Sequence, residues 1–179
     1  MTNPLIIAAV ETRPGWGRLL ISCCPGRTDL EHILSEDIDA LRRAGASAVL
    51  TLTEMEELEE LEVAGLGQAV REAGMDWHHL PIIDYGAPEA NFEIGWMEVG
   101  PALRERIRKG RDVHMHCRAG CGRSGMIAAR LLVELDVCPP DEAIRRVRFS
   151  RPCAIEREEQ EEAVRAAKPL GDAPRPIGG

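Results

Sequence analysis

From Leu5 to Ala167 the chain alternates short apolar runs with segments whose apolar residues recur at helical spacing. The stretches Leu5–Val10, Arg18–Ser22, Ala48–Leu52, Trp77–Leu80 and Asp112–His116 have strand length. Arg13-Pro14-Gly15 supplies a turn between the first two. Helical patterns fall at Asp29–Ala44, Glu54–Leu61, Leu66–Ala73, Pro88–Lys109, Gly122–Asp136, Pro140–Phe149 and Glu156–Ala167. Gly45 and Gly74 stand where glycine commonly closes a helix, while Gly95, Gly100 and Pro101 are expected to interrupt the fourth. Strands alternating with helices predict an α/β domain: a central, mostly parallel, twisted sheet flanked by helices. Ligands of such sheets bind beyond the carboxyl ends of the strands, where helices begin.

The 179 residues suit a single domain over 1–168, followed by a Pro/Gly-rich segment, 169–179, expected to be flexible. The apolar run at Leu5–Val10 is far shorter than the roughly 20 residues of a membrane span. No basic residue precedes it, so the expectation is a cytoplasmic chain with no stable membrane association. Six cysteines without a C-x-x-C pair fit neither a disulfide scaffold nor a structural zinc site. No metal or other cofactor is expected, and Cys138 and Cys153 read as packing residues. Nothing in the sequence sets the oligomeric state.

Charge is unevenly spread. Residues 1–100 carry 18 acidic and 6 basic side chains; residues 101–151 carry 12 basic and 6 acidic ones. The acidic whole argues against nucleic-acid partners, while a locally basic segment suits a small anion. The acidic run Glu54–Glu62 reads as a solvated helix face.

One strand-to-helix junction has the composition of a binding loop: His116-Cys117-Arg118-Ala119-Gly120-Cys121-Gly122-Arg123-Ser124-Gly125. A loop entering a helix aims backbone N–H groups at one point, and the helix dipole adds positive potential there. Arg118, Ala119, Gly120, Cys121, Gly122 and Arg123 would line such an anion site. Gly120 and Gly122 allow close backbone approach, and Arg123 offers a planar fork for two phosphate oxygens. Cys117, at the centre of this field, is favoured as a thiolate nucleophile rather than an inert buried thiol. Ser124 can donate a hydrogen bond to its sulfur, and His116 is expected to orient the loop through the backbone.

This segment resembles the phosphate loop of the cysteine-dependent protein tyrosine phosphatases, H-C-x-x-G-x-x-R-[ST]. The resemblance implies a phosphate loop at a strand-to-helix junction of a tyrosine-phosphatase-like sheet. Trp77–Pro88 resembles the acid loop of dual-specificity phosphatases, most closely their kinase-associated branch, through Pro81-Ile82-Ile83-Asp84. By that match Asp84 is the general acid, against a turn aspartate bonding its own backbone, with Glu89 and Asp76 as substitutes. His78 and His79 read as hydrogen-bonded strand residues rather than metal ligands. Ile155 and Gln160 partly match the Ile-Gln-Thr-x-x-Gln-like element of these phosphatases. Gln160 either positions the hydrolytic water or is an exposed polar residue of a charged helix. Leu20–Arg27 and Leu41–Gly45 are also similar to the kinase-associated branch.

The expected activity is metal-independent hydrolysis of phosphotyrosine, with phosphoserine or phosphothreonine, through a cysteinyl-phosphate. The partner is then a phosphorylated protein or a small phosphate ester. Cys-Arg-Ala-Gly after His116 also resembles phosphoinositide and inositol phosphatases, the alternative within the enzyme class. A non-catalytic phosphate-binding module and sulfur transfer or arsenate reduction through a cysteine loop are further alternatives. Cys121 either fills the loop or captures oxidised Cys117 as a disulfide.

Overall fold

A computed structural model describes residues 3–171. Five strands form one sheet: β1 (Ala8–Val10), β2 (Leu19–Ser22), β3 (Ala46–Thr51), β4 (Asp76–His79) and β5 (Asp112–His116), in the order β1-β2-β5-β3-β4. Only the edge pair β1–β2 is antiparallel. Seven helices connect and cover it: α1 (Leu34–Ala44), α2 (Met55–Glu60), α3 (Leu66–Glu72), α4 (Ala90–Arg108), α5 (Gly122–Glu134), α6 (Pro140–Ser150) and α7 (Glu158–Ala166). The mostly parallel α/β sheet expected from the alternation of elements is the fold observed.

Strand alternation sorts the core into two layers. Leu19, Ile21, Ala48, Leu50, Val113 and Met115 face α4, α5, α6 and α7. Leu20 and Val49 face Ile38 and Leu41 of α1, Leu58 of α2, and Leu66 and Val70 of α3. Residues two apart on a strand share a face, so β2 and β3 bring apolar side chains to both layers, whereas β5 is apolar on one face and carries His114 and His116 on the other. The three central strands end level, with His116 opposite both Ser22 and Thr51. The loops after these strands therefore open on one side of the sheet.

Helix α5 follows β5 directly, and twelve of its thirteen residues are buried, because the sheet lies beneath it and α6 and α7 pack over it. Glu134 near its end is 2 % exposed and accepts hydrogen bonds from Trp96 Nε1 (3.0 Å) and Arg130 Nε (2.6 Å), and from Arg104. Helix α4 runs through Pro101 without a break, contrary to the expected interruption. Proline there removes the donor to the Met97 carbonyl. Met97 is 73 % exposed, so that carbonyl lies on the solvent side, where water can replace the bond.

The first helix starts later than its pattern predicts. Thr28–Leu30 is a 3-10 turn, Glu31 is left-handed (φ 59°), and α1 begins only at Leu34. Asp37 explains the shift. Its buried carboxylate accepts Gly26 N (2.8 Å) and meets His32, so residues 26–32 wrap around the helix start instead of extending it. Leu170 N donates to Glu134 O (2.9 Å). Of the segment expected to be flexible, residues 172–179 lie outside the described residues.

Glu134→Ala should lower the unfolding free energy by about 3–5 kcal/mol, since the carboxylate is the shared buried acceptor of one indole and two guanidinium groups. Urea denaturation of wild type and variant measures this. A change below about 1 kcal/mol would show that the network contributes little.

Candidate active site

His116 ends β5, Cys117–Cys121 form the loop, and Gly122 starts α5. Each carbonyl of that loop is engaged away from its centre. Cys117 O meets His116 Nδ1 (3.2 Å). Arg118 O accepts Cys24 N (3.1 Å) and Arg27 Nη1 (2.8 Å). Ala119 O and Gly120 O accept the two arms of Arg151, each at 2.9 Å. Cys121 O accepts Gly125 N (2.9 Å). A planar trans peptide points its C=O and N–H in opposite directions. The N–H groups of residues 118–122 are thus turned inward, the arrangement an anion requires. Gly120 (φ +71°) is obligatory, because a Cβ there would lie 2.2 Å from Ser22 O. At Gly122 a Cβ would lie 2.5 Å from Glu156 Oε2 and 3.0 Å from the Gln160 amide. The space kept open at Gly122 is therefore for these side chains.

Cys117 is 3 % exposed, with Ser124 Oγ 3.5 Å from its sulfur. Below it runs a buried chain of hydrogen bonds. Trp77 Nε1 donates to Thr51 Oγ1 (2.8 Å), Thr51 Oγ1 meets His116 Nε2 (2.8 Å), and His116 Nδ1 meets the Cys117 carbonyl. The carbonyl can only accept, so Nδ1 carries the proton and Nε2 accepts from Thr51. This requires a neutral imidazole, and burial pushes its pKa down to about 4. His116 thus bonds to the loop through its backbone, and His114 stacks beside it (5.8 Å between ring centres).

Arg123, on the first turn of α5, is 2 % exposed. Its Nη1 donates to Glu57 Oε2 (2.6 Å) and to Ile82 O (3.0 Å), and its Nη2 to Glu57 Oε1 (2.8 Å). Nη2 also lies 2.9 Å from Asp84 Oδ1. Burial opposes the guanidinium charge, but the bonds it donates to Glu57 and the charges of Cys117, Glu57 and Asp84 outweigh it and raise the Arg123 pKa. Glu57 is lowered in return: desolvation works against its charge, and the bonds from Arg123 and Glu54 N prevail. The expectation of a wholly solvated acidic run is corrected here. Glu57 shares the inner face of α2 with Leu58 and Leu61, one and four residues on, a helical spacing that could have revealed it.

Asp84 sits in the turn Ile83–Gly86, closed by Gly86 N to Ile83 O (2.8 Å), and Tyr85 adopts φ 59°. Its carboxylate has two partners. It accepts Tyr85 N (3.0 Å), and it pairs with Arg123. Asp76 begins β4, at the opposite end of the strand, and pairs with Arg106. Glu89 is the residue preceding α4 and lines a cleft with Tyr85 and Gly86. His79 Nε2 meets Thr53 O (2.8 Å).

Gln160 is 0 % exposed, which removes the reading of an exposed polar residue. Its Oε1 accepts Glu156 N (2.9 Å) and its Nε2 donates to Gly86 O (3.1 Å), so it ties the Asp84 turn to α7. Arg157 lies over the Tyr85 ring at 4.8 Å, reinforcing that junction. Arg118 points outward and pairs with Glu60 (2.9 Å). Cys121 is corrected: it forms a disulfide with Cys153, Cα–Cα 5.2 Å, and not with Cys117. Cys153 is likewise corrected from a packing residue. The cause is the turn 151–155, which folds over the loop carbonyls and brings Cys153 to Cys121.

A family model described as "Polymorphic toxin system, DSP-PTPase phosphatase" matches residues 25–136, from the segment before α1 through the whole phosphate loop and α5. The chain belongs to this DSP-PTPase family. Among curated relatives, rat cyclin-dependent kinase inhibitor 3 is 32% identical over 126 residues, covering 69% of this chain and 57% of the relative. The human protein of that name is 29% identical over 124 residues with the same coverage. The chain thus spans 57% of the length of these relatives. Among solved structures, kinase associated phosphatase, with its catalytic-site cysteine replaced by serine, superposes with a TM-score of 0.81. That pair shares 25% identity over 92% of this chain and 94% of the other. The active form of Tk-PTP gives a TM-score of 0.67 at 29% identity, over 88% and 93%. Among the described residues no helix is long and apolar enough to cross a membrane.

Stability should fall as pH drops from about 6.5 to about 4. In that window the unfolded chain protonates at His116 while the folded one resists, because the folded pKa is the lower of the two. The loss is about 3 kcal/mol and is complete only below the folded value. Glu57, also lowered on folding, withdraws its stabilisation only below its ordinary carboxylate range. Denaturant titrations at pH 7.5, 6 and 4.5 should show the decline, and His116→Gln should lessen it, leaving the part due to the neighbouring His114, which burial also lowers. An equal slope in that variant would assign the decline to other groups.

Proposed function

We propose that this protein is a dual-specificity protein phosphatase that needs no metal and works through a cysteinyl-phosphate. What carries the reading is the convergence on Arg123. This residue, on the first turn of α5 beside the nucleophile loop, also bonds Asp84 from a different strand connection. Nucleophile, anion clamp and proton donor thereby share one centre.

Cys117 attacks phosphorus in line as the thiolate. The inward N–H groups of 118–122 and the guanidinium of Arg123 stabilise charge on the equatorial oxygens, and so supply what a metal would otherwise provide. Substrate phosphate takes up the side of Arg123 that Asp84 holds in the free protein, which leaves Asp84 beside the leaving oxygen to protonate it. Ser124 donates to the sulfur as it departs in the second step. Asp84, now carboxylate, activates the water that releases phosphate. Gln160 keeps the Asp84 turn in register through Gly86 O.

The substrate class that fits is a phosphorylated protein, with phosphotyrosine and phosphoserine or phosphothreonine as the ester. Inositol phosphates are not favoured. The charge that suggested them, Arg118, is committed to Glu60, and the acidic helix α2 flanks the loop. A purely phosphate-binding module leaves Asp84 without a purpose, and sulfur transfer leaves both Asp84 and Ser124 without one. Cytoplasmic action on phosphoproteins is the setting we infer, supported by the likeness to kinase associated phosphatase.

Cys117→Ser should abolish hydrolysis of p-nitrophenyl phosphate in EDTA and reductant, with inorganic phosphate still bound. Turnover retained by that variant would sink the assignment. Asp84→Ala should slow alkyl phosphates about 100-fold or more and aryl phosphates with good leaving groups far less. Equal losses on both, measured as kcat/KM, would place the acid elsewhere.

A further inference from the structure

The turn 151–155 meets the phosphate loop at three successive carbonyl groups and one sulfur. Arg151 holds Ala119 O and Gly120 O, Ile155 N reaches Cys121 O (3.4 Å), and Cys153 is bonded to Cys121. The covalent tie falls on the residue between Gly120 and Gly122. Glycine is the residue with most backbone freedom, so this is where the loop could most readily rotate a peptide unit and turn its N–H away from phosphate. The two ends of the bond also differ in exposure: Cys121 is 8 % exposed, whereas Cys153 lies at the surface.

We propose that residues 151–155 are a clamp that positions the loop amides for phosphate, with Arg151 as its non-covalent half and the Cys121–Cys153 disulfide as a reducible covalent half. The oxidised clamp is the more active form. The inference rests on the phosphatase reading and deepens it by adding Arg151 as a positioning residue and a redox input at Cys153. A dithiol opens the clamp in two steps. Its thiolate attacks the exposed Cys153 sulfur, the Cys121–Cys153 bond breaks, and Cys121 leaves as thiolate. The second thiol then displaces Cys153 and departs as a cyclic disulfide. Two electrons pass from dithiol to protein, and two protons end on the freed thiols. Cys117 stays reduced throughout, so the sign is opposite to that of oxidation at the nucleophile, which removes activity.

The test uses the full chain, handled without oxygen so that Cys117 remains a thiol, with the 121–153 bond confirmed by non-reducing peptide mapping. Cys153→Ser and Arg151→Ala should each lose between about tenfold and a hundredfold in kcat/KM on p-nitrophenyl phosphate, the scale of a small misplacement of catalytic groups. Inhibition by inorganic phosphate should weaken in parallel, at temperatures where circular dichroism shows both variants folded. A role in stability alone would lower the unfolding midpoint and leave phosphate affinity unchanged. Wild type treated with dithiothreitol should fall to the level of Cys153→Ser, and that variant should not respond to it. The reduced wild type also serves if either variant fails to fold. Wild-type kcat/KM and phosphate inhibition in the reduced protein, or free thiols at both positions in the unreduced protein, would overturn the clamp. If the oxidised wild type binds phosphate but does not turn over, the phosphatase reading fails. The clamp then stands if phosphate binding, followed calorimetrically, weakens on reduction, and falls if it does not.

Discussion

Arg123 carries a charge into a nearly solvent-free position, and the Glu57 carboxylate makes that tolerable. Burying an ionised group costs several kcal/mol even after relaxation, and the cost is offset only by good geometry and full hydrogen bonding. The pair meets both conditions. Two parallel bonds of 2.6 and 2.8 Å fix the plane of the guanidinium, and Ile82 O accepts a further hydrogen bond from it. Three parts of the molecule depend on this plane. Helix α2 is drawn against the sheet by it, the segment after β4 is pinned at Ile82, and the Asp84 turn meets the same fork. The orientation of Arg123 toward a phosphate is thus settled before any ligand arrives, and preorganisation of this kind is the largest electrostatic asset a site can have.

The phosphate loop shows the complementary strategy. Its inward amides are positioned by engaging the carbonyls on their far side, with donors from Cys24, Arg27, Arg151 and Gly125. Beneath it, neutral His116 links the loop to Thr51 and Trp77. A charged imidazole there would have to donate from both nitrogens, which would turn the Thr51 bond around and leave the Thr51 hydroxyl without its acceptor. Neutrality at this position keeps the chain of donors running one way, toward Cys117 O.

Much of this was legible in the sequence, for physical reasons that differ from residue to residue. The strand–loop–helix of 112–134 announces itself because apolar strand, glycine-bearing loop and helix pattern follow without interruption. Asp84 was accessible through its Pro-Ile-Ile-Asp setting. Glu57 was not read as part of the site, because six glutamates between residues 54 and 62 average out to a charged surface. The distinguishing fact is angular: Glu57 lies on the same stripe as Leu58 and Leu61. Cys153 carries no local signal at all. Its partner is 32 residues away and is met only because α5, α6 and the following turn fold back on the loop. Pro101 does not break α4, since its missing donor concerns only a solvent-facing carbonyl.

The contacts that shape the ten residues from His116 to Gly125 include positions 24, 27, 51, 57, 82 and 84 before the loop and 151, 153, 155 and 160 after it. Such long-range pairing is slow to close, and it cannot begin until both partners exist. As the chain emerges from the ribosome, the loop and α5 appear well before the turn at 151–155 and Gln160, which complete their surroundings. The nucleophile is therefore synthesised before the last of the walls that order it, and the site cannot be completed until the chain beyond Gln160 has emerged.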